Sequence, residues 1–319
     1  MKKVVLLTTG GTIASVPNEK GMLVAGELTG EELARRCSLP ADIDVQVESV
    51  LQLPSMHIGF DELLVLKKKI EQVFMDESVS GIVVTHGTDS MEETAYFLDL
   101  TIDNVRPVVL TGSQRALSDA SNDVYSNIRH AIYTACSDDM KNAGVAVVFN
   151  ERIFSARYVK KVHASNMQGF YSFGFGYLGI IDNDAVVVYQ KPIRRETFKL
   201  TKDIPMVDII KCYAGADSKF LRAAVQSGSK GIVLEGAGRG QIAPHMMEGI
   251  EEALAQGIHI VITTSAEEGR VDTTYDYRGS AYDLYRHGVI LGNDFDSKKA
   301  RMRLAVMLAS DINDVNHLF

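Results

Sequence analysis

The sequence predicts an α/β protein of two α/β domains, a larger N-terminal domain with a mainly parallel sheet and a smaller C-terminal one. Three observations carry that prediction. Short runs rich in Val and Ile recur along the chain, amphipathic helical patterns separate several of them, and a charged, proline-bracketed stretch interrupts the alternation past the midpoint. Strand, helix, strand in alternation places helices on both faces of a parallel sheet.

Taken in order, the runs 4–7, 81–84, 108–110, 145–149, 207–210, 231–234 and 258–262 read as buried strands. They are continuously apolar because a strand covered on both faces has no polar side to show. Helical spacing of apolar residues predicts helices at about 61–74, 90–98, 120–135, 220–227 and 246–255. Near its end each strand run passes into Gly, Thr or Asp, and open α/β sheets bind ligands outside the carboxyl ends of their strands. In 190–205, Lys191, Arg194, Arg195, Glu196, Lys199, Lys202 and Asp203 crowd together, with Pro192 and Pro205 toward the two ends and no clean periodicity. That composition predicts a linker, so the expected division is 1–189, a linker 190–205, and 206–319.

Composition narrows the function. The chain has 319 residues, 46% hydrophobic and 23% charged, with a net charge of −8. No basic face is available to neutralise phosphates, which argues against a nucleic-acid partner. The Lys67-Lys68-Lys69 run reads as a solvated helix face. Cys37, Cys136 and Cys212 are odd in number, far apart and without metal-ligand spacing. Reduced thiols, no metal and no cofactor are expected. The run after Lys2-Lys3 is too short for a signal peptide and is broken by Gly10-Gly11, and no run is long enough to cross a bilayer. The expectation is a soluble, cytoplasmic protein with no membrane partner.

Two segments carry chemistry. Thr8-Thr9-Gly10-Gly11-Thr12-Ile13-Ala14-Ser15 follows the first strand. Its paired glycines allow a tight turn that exposes the Thr12 hydroxyl and nearby N–H groups. An ordinary strand-ending turn would look similar, but neither the P-loop nor the dinucleotide fingerprint is present. Thr85-His86-Gly87-Thr88-Asp89-Ser90-Met91-Glu92-Glu93-Thr94 ends another strand. Asp89 and Ser90 suit a helix cap, and Glu92 and Glu93 suit its first turn. His86 is open to either a chemical or a hydrogen-bonded structural role.

Thr9-Gly10-Gly11-Thr12-Ile13-Ala14-Ser15 and His86-Gly87-Thr88-Asp89-Ser90-Met91-Glu92-Glu93-Thr94-Ala95 closely resemble the two signature segments of bacterial-type L-asparaginases. The resemblance runs on through Leu110-Thr111-Gly112-Ser113-Gln114-Arg115, Tyr177-Leu178-Gly179, Gly236-Ala237-Gly238-Arg239-Gly240-Gln241 and a Lys299-Ala300-Arg301 helix, covering essentially the whole chain. It implies hydrolysis of L-asparagine to L-aspartate and ammonia through a β-aspartyl-enzyme, with L-glutamine as a second candidate substrate. By that resemblance Thr12 matches the nucleophile, and Thr88, Lys161 and Asp89 match a proton relay. Lys160, adjacent to Lys161, is the alternative lysine. Ser55 matches a serine that helps hold the substrate carboxylate, Asp89 also meets the substrate ammonium, and Ser113 offers main chain near the side-chain amide. The family assembly implied is a homotetramer made of dimers with shared active sites, or a homodimer.

These residue types suit the chemistry. A threonine hydroxyl is a weak nucleophile until a base takes its proton. A lysine can be that base if its proton passes along a hydrogen-bonded chain. Backbone N–H groups at a glycine-rich turn then stabilise the oxyanion, by roughly 3 kcal/mol per donor.

The sequence departs from the family pattern in three places. The segment 16–26, where many members carry a lid tyrosine, has none, with Met22 and Leu23 at the expected place, although Pro17, Asn18 and Gly21 fit a flexible lid. Met56 stands where a glutamine often follows the substrate serine, which removes a polar contact. The carboxylate usually supplied by a neighbouring subunit has no clear counterpart near 276–283, where Tyr275, Tyr277 or Asp283 are the substitutes available. These changes resemble the cytoplasmic or divergent branch more than the high-affinity periplasmic one. Other readings are a glutaminase-asparaginase, an ammonia-generating subunit of a tRNA-dependent amidotransferase, and a non-catalytic amino-acid binding module. The amidotransferase-subunit role is disfavoured by the acidic balance and by the expected absence of the extra module that precedes the first strand in such subunits.

Overall fold

The computed structural model describes residues 1–10, 35–193, 195–312, 314–315 and 319, and the backbone alone of 15–17 and 23–25. Two compact units result, Met1–Thr197 and Phe198–Phe319.

The first unit opens with β1 (Lys2–Thr8), the antiparallel pair β2 (Ser15–Pro17) and β3 (Leu23–Ala25), and β4 (Ile43–Ser49). It continues through α1 (Phe60–Val73), β5 (Val79–Thr85), α2 (Met91–Thr101), β6 (Val108–Thr111), α3 (Val124–Cys136) and β7 (Val145–Phe149). The strands β8 (Arg152–Ser155), β9 (Lys160–Lys161), β10 (Phe170–Tyr171), β11 (Gly179–Asp182) and β12 (Ala185–Val188) complete it. The main sheet has the order β12-β11-β8-β7-β6-β5-β1-β4 among the described residues. The strands β4, β1, β5, β6 and β7 run parallel, while β8, β11 and β12 extend the sheet antiparallel. From β1 the chain first adds β4 on one side and then crosses to add β5 on the other. That reversal is a topological switch point, and it opens a crevice at the carboxyl ends of β1 and β5.

Why the strand runs lack alternation is visible in the packing. Val4, Leu6, Val83, Val109, Ala146 and Val148 share a core with Ile128, Ala131, Ile132 and Ala135 of α3. Successive strand residues face opposite sides, so Val5, Leu7, Ile82, Val84 and Leu110 line the other face, and they too are buried. Each such side chain stabilises the fold by about 1.5–3 kcal/mol through area removed from water. At Gly81 a β-carbon would lie 2.3 Å from the carbonyl oxygen of Ala135, so the close approach of α3 to β5 requires glycine there.

Two departures from expectation have physical causes. The helix expected from 120 starts at Val124, because the buried Asp123 turns back toward the preceding loop. Its carboxylate accepts the main-chain N–H groups of Gln114 and Arg115, each at 3.1 Å, and Asn127 Nδ2 at 3.0 Å. The strands β4, β8, β11 and β12 lie toward the sheet margins and outside the expected strand runs; β4 and β11 include exposed polar residues, and β8 and β12 are only four residues long.

The second unit contains β13 (Val207–Lys211), α4 (Lys219–Gln226), β14 (Gly231–Gly236), α5 (Met247–Ala255), β15 (His259–Thr264), α6 (Ala281–Arg286), β16 (Ile290–Leu291) and α7 (Ser297–Leu308). Its sheet has the order β13-β14-β15-β16, parallel throughout among the described residues. Ile232, Leu234, Ile260 and Ile262 pack with Leu221, Ile250 and Leu284. Side-chain caps set two helix starts: Ser280 accepts the N–H of Asp283 and Asp296 that of Lys299. Among the described residues no helix is long and apolar enough to cross a membrane.

Candidate active site

The expected site residues of the first unit come from different strands that end at one edge of the sheet. The end of β1 supplies Thr9 and Gly10, that of β5 supplies Gly87, Thr88 and Asp89, and that of β6 supplies Gly112 and Ser113. Beyond β4, a short 3-10 turn, Ser55–His57, carries Ser55. Lys161 arrives on β9 after the sheet has turned antiparallel at β8.

Close contacts explain the glycines. Gly10 has φ +105°, and a β-carbon on it would sit 2.6 Å from the main-chain N and O of Leu53. The neighbouring Thr9 is fully buried; its hydroxyl donates to Thr85 O at 2.9 Å, while its carbonyl accepts the N–H of Leu53 at 3.1 Å. The loop after β4 is thereby sewn to the ends of β1 and β5. A β-carbon on Gly87 would lie 2.9 Å from both Cβ and Oγ of the buried Ser55. Ser90 Oγ donates to Ser55 O at 2.7 Å, which fixes the serine against the start of α2.

The chemical centre is a three-residue cluster. Lys161 Nζ donates to Thr88 Oγ1 at 2.8 Å and pairs with Asp89 Oδ1 at 2.5 Å. The lysine side chain is 13% exposed and that of Asp89 63%, so the cluster sits at the rim of the crevice with its hydroxyl inward of its carboxylate. Of the two adjacent lysines, Lys161 bonds both Thr88 and Asp89. Two further residues hold the cluster. Glu92, buried in the first turn of α2, accepts the main-chain N–H of Lys161 at 2.9 Å. Gln114 Oε1 accepts the Thr88 hydroxyl at 3.1 Å, and Gln114 Nε2 donates to His163 O at 3.2 Å. From sequence Glu92 reads only as a helix first-turn acid and Gln114 as part of a motif.

His86 lies beneath this centre and is fully enclosed. Its Nδ1 is 2.7 Å from Gly87 O and its Nε2 3.0 Å from Thr94 Oγ1. Burial holds its pKa down at about 4, so the ring is neutral at pH 7. A neutral ring has one donor and one acceptor, and here the donor faces the carbonyl and the acceptor the hydroxyl. Its role is structural.

Ser113 is buried, and its hydroxyl has no partner among the described residues. Such a group costs about 1–3 kcal/mol unless something bonds it. Met56 is 69% exposed beside Ser55. In the second unit Asp283 accepts the N–H of Gly279 at 2.8 Å and lies 3.5 Å from His287 Nδ1, so its carboxylate anchors its own turn, where Gly279 has φ +84°. Thr12 and most of the segment read as a lid lie outside the described residues. No group of three or more His, Cys, Asp or Glu able to hold a metal occurs among the described residues. The three thiols are free, and burial pushes Cys37 and Cys212 up to about 12 and Cys136 to about 11, which keeps them protonated and inert.

A hydroxyl, a cation and an acid gathered at the switch point of an α/β sheet define a site for polar small-molecule chemistry. Residues 3–194 match the family model of the asparaginase N-terminal domain, and residues 206–319 that of the glutaminase/asparaginase C-terminal domain. The chain belongs to the asparaginase family and is an amidohydrolase. It is 66% identical over 309 residues to the L-asparaginase of Bacillus licheniformis, covering 97% of this chain and 96% of that one. It is 36% identical over 314 residues to L-asparaginase 2 of Bacillus subtilis, covering 95% and 81%. Among solved structures, the "Probable Cytoplasmic L-asparaginase" of Campylobacter jejuni matches with a TM-score of 0.87 at 33% identity, over 98% of this chain and 96% of that one.

Proposed function

We propose that the protein hydrolyses L-asparagine to L-aspartate and ammonia, with Thr12 as the nucleophile. The observation that carries the reading is the bridge from Lys161 Nζ to both Thr88 Oγ1 and Asp89 Oδ1. A hydroxyl bonded to a lysine nitrogen is the minimum apparatus for moving a proton. Thr12 follows Gly10 by two positions in the sequence, and Gly10 stands just past the end of β1, which pairs with β5.

In the proposed reaction the Thr12 oxygen bonds to the side-chain carbonyl carbon as its proton passes to the relay. The tetrahedral adduct collapses with cleavage of the C–N bond, and the leaving nitrogen takes the proton and departs as ammonia. Water then attacks the β-aspartyl ester, releases aspartate and restores the Thr12 hydroxyl. Ser55 takes the substrate carboxylate, Asp89 its ammonium group, and Ser113 the neighbourhood of the side-chain amide. The buried, unpartnered Ser113 hydroxyl and the Ser55 side chain held against Gly87 favour that arrangement. The same reading includes a cytoplasmic homotetramer or homodimer. The name shared by glutaminase and asparaginase in the C-terminal family keeps L-glutamine as the second substrate to measure.

The test is ammonia release from purified protein with each amino acid. L-Asparagine is expected to be turned over and Thr12→Ala to be inactive while still folded. A fully active Thr12→Ala enzyme overturns the nucleophile, and a glutamine rate above that for asparagine overturns the substrate.

A further inference from the structure

We infer that Gln114 is a positioning residue of the relay, which holds the Thr88 hydroxyl proton away from Lys161 in the resting enzyme and so sets the pH at which the relay begins to work. The inference rests on the reading of Thr88 and Lys161 as that relay. Thr88 Oγ1 has one proton and two lone pairs. A lysine ammonium can only donate, so the 2.8 Å contact from Lys161 Nζ occupies a lone pair. The hydroxyl proton then points to an acceptor, and Gln114 Oε1 stands at 3.1 Å.

The orientation of the amide is set from its other end. Gln114 Nε2 donates to His163 O at 3.2 Å, which leaves the oxygen for Thr88. Packing reinforces the pose: a β-carbon on Gly169 would lie 2.1 Å from Gln114 Nε2, so only glycine at 169 leaves room for the amide. The main-chain N–H of Gln114 is held in turn by the buried Asp123. The glutamine is therefore pinned at its backbone, its amide nitrogen and its amide oxygen.

The chemical consequence is a competition between two acceptors. While Lys161 is protonated, Thr88 gives its proton to Gln114 Oε1. When Lys161 has lost a proton, the hydroxyl must swing from Gln114 to the lysine nitrogen before it can act as a donor to the relay. A carboxylate at 114 keeps the acceptor and adds a negative charge near Lys161, which favours the protonated lysine. An apolar side chain of similar length removes the acceptor altogether.

The experiment compares the pH dependence of kcat and KM for asparagine in the wild type, Gln114→Glu, Gln114→Met and Thr88→Val. In Gln114→Glu the acid limb of the kcat profile is expected to move up by about one pH unit, with the rate recovering at higher pH. In Gln114→Met, which lacks the competing acceptor, the acid limb of the kcat profile is expected to move down by about half a pH unit with KM within about threefold of wild type. Thermal unfolding of each variant separates loss of fold from loss of proton placement. An unshifted acid limb in both Gln114→Glu and Gln114→Met, in an active enzyme that Thr88→Val inactivates, overturns this inference alone. A wild type without asparaginase activity, or a Thr88→Val enzyme of normal kcat, overturns the relay and the inference with it.

Discussion

Lys161 Nζ stands 2.8 Å from Thr88 Oγ1 although 73 residues separate them in the chain. The contact joins the turn that follows the parallel strand β5 to the short β9, which pairs antiparallel with β10. The lysine enters it with its backbone already tied to Glu92.

That contact predicts a large and specific loss in Thr88→Val. A methyl group replaces the hydroxyl without changing the shape of the side chain, so the fold should survive while proton transfer stops. The expected fall in kcat is about 10²–10⁴-fold, the range contributed by a positioned acid–base group. Thr88→Ser should retain most of the rate. Steady-state ammonia release measures both, and a Thr88→Val enzyme with normal kcat would remove Thr88 from the chemistry.

His86 predicts an acid-sensitive stability. Its folded pKa of about 4 is below the ordinary value of 6.5, so the folded protein binds fewer protons than the unfolded chain between those values. This contribution is fully present above about pH 6.5 and is lost as the pH falls toward 4, for a total of about 3 kcal/mol. His86→Gln lacks the titration and should show a flatter fall in stability over that window. Denaturant unfolding at pH 7, 6 and 5 compares the two, and parallel pH slopes would rule out His86 as the source.

Gly87→Ala tests the contact that places Ser55. The added β-carbon would lie 2.9 Å from Ser55 Cβ and Oγ, so one of the two segments must move. Overpacking of this kind costs about 1–3 kcal/mol. The expected signature is a lowered Tm with KM for asparagine raised about tenfold and kcat less affected. Wild-type KM in a variant with lowered Tm would separate Ser55 from substrate binding.

Much of this site was legible before any coordinates. Thr88 stands out because helix capping does not account for a Thr-His-Gly-Thr string, Asp89 reads equally well as a helix cap, and the resemblance alone favours Lys161 over Lys160. Gln114 lies inside a motif that gives it no role, and Glu92 reads only as a first-turn acid. Nothing in the order of residues says that the amide of Gln114 meets Thr88, since their bond spans 26 residues and depends on the loop that Asp123 folds back. The edge strands escaped notice for a related reason. In β12 the burial pattern is exposed, half-buried, exposed, half-buried, and a four-residue stretch of that kind has no strong period. The helix α7, expected around Lys299-Ala300-Arg301, buries Lys299 and Arg303, which charge type alone does not reveal.

By itself the sequence determined where the central strands run and where the chain turns at their ends. Runs such as Val83-Val84 are apolar on both faces because both faces are covered, and that is a local signature. Only the tertiary structure decided which lysine reaches Thr88, which amide orients it, and that His86 is a neutral support. Those outcomes depend on distances of about 3 Å between groups far apart in the chain, and hydrogen bonds discriminate at that scale while hydrophobic patterning does not.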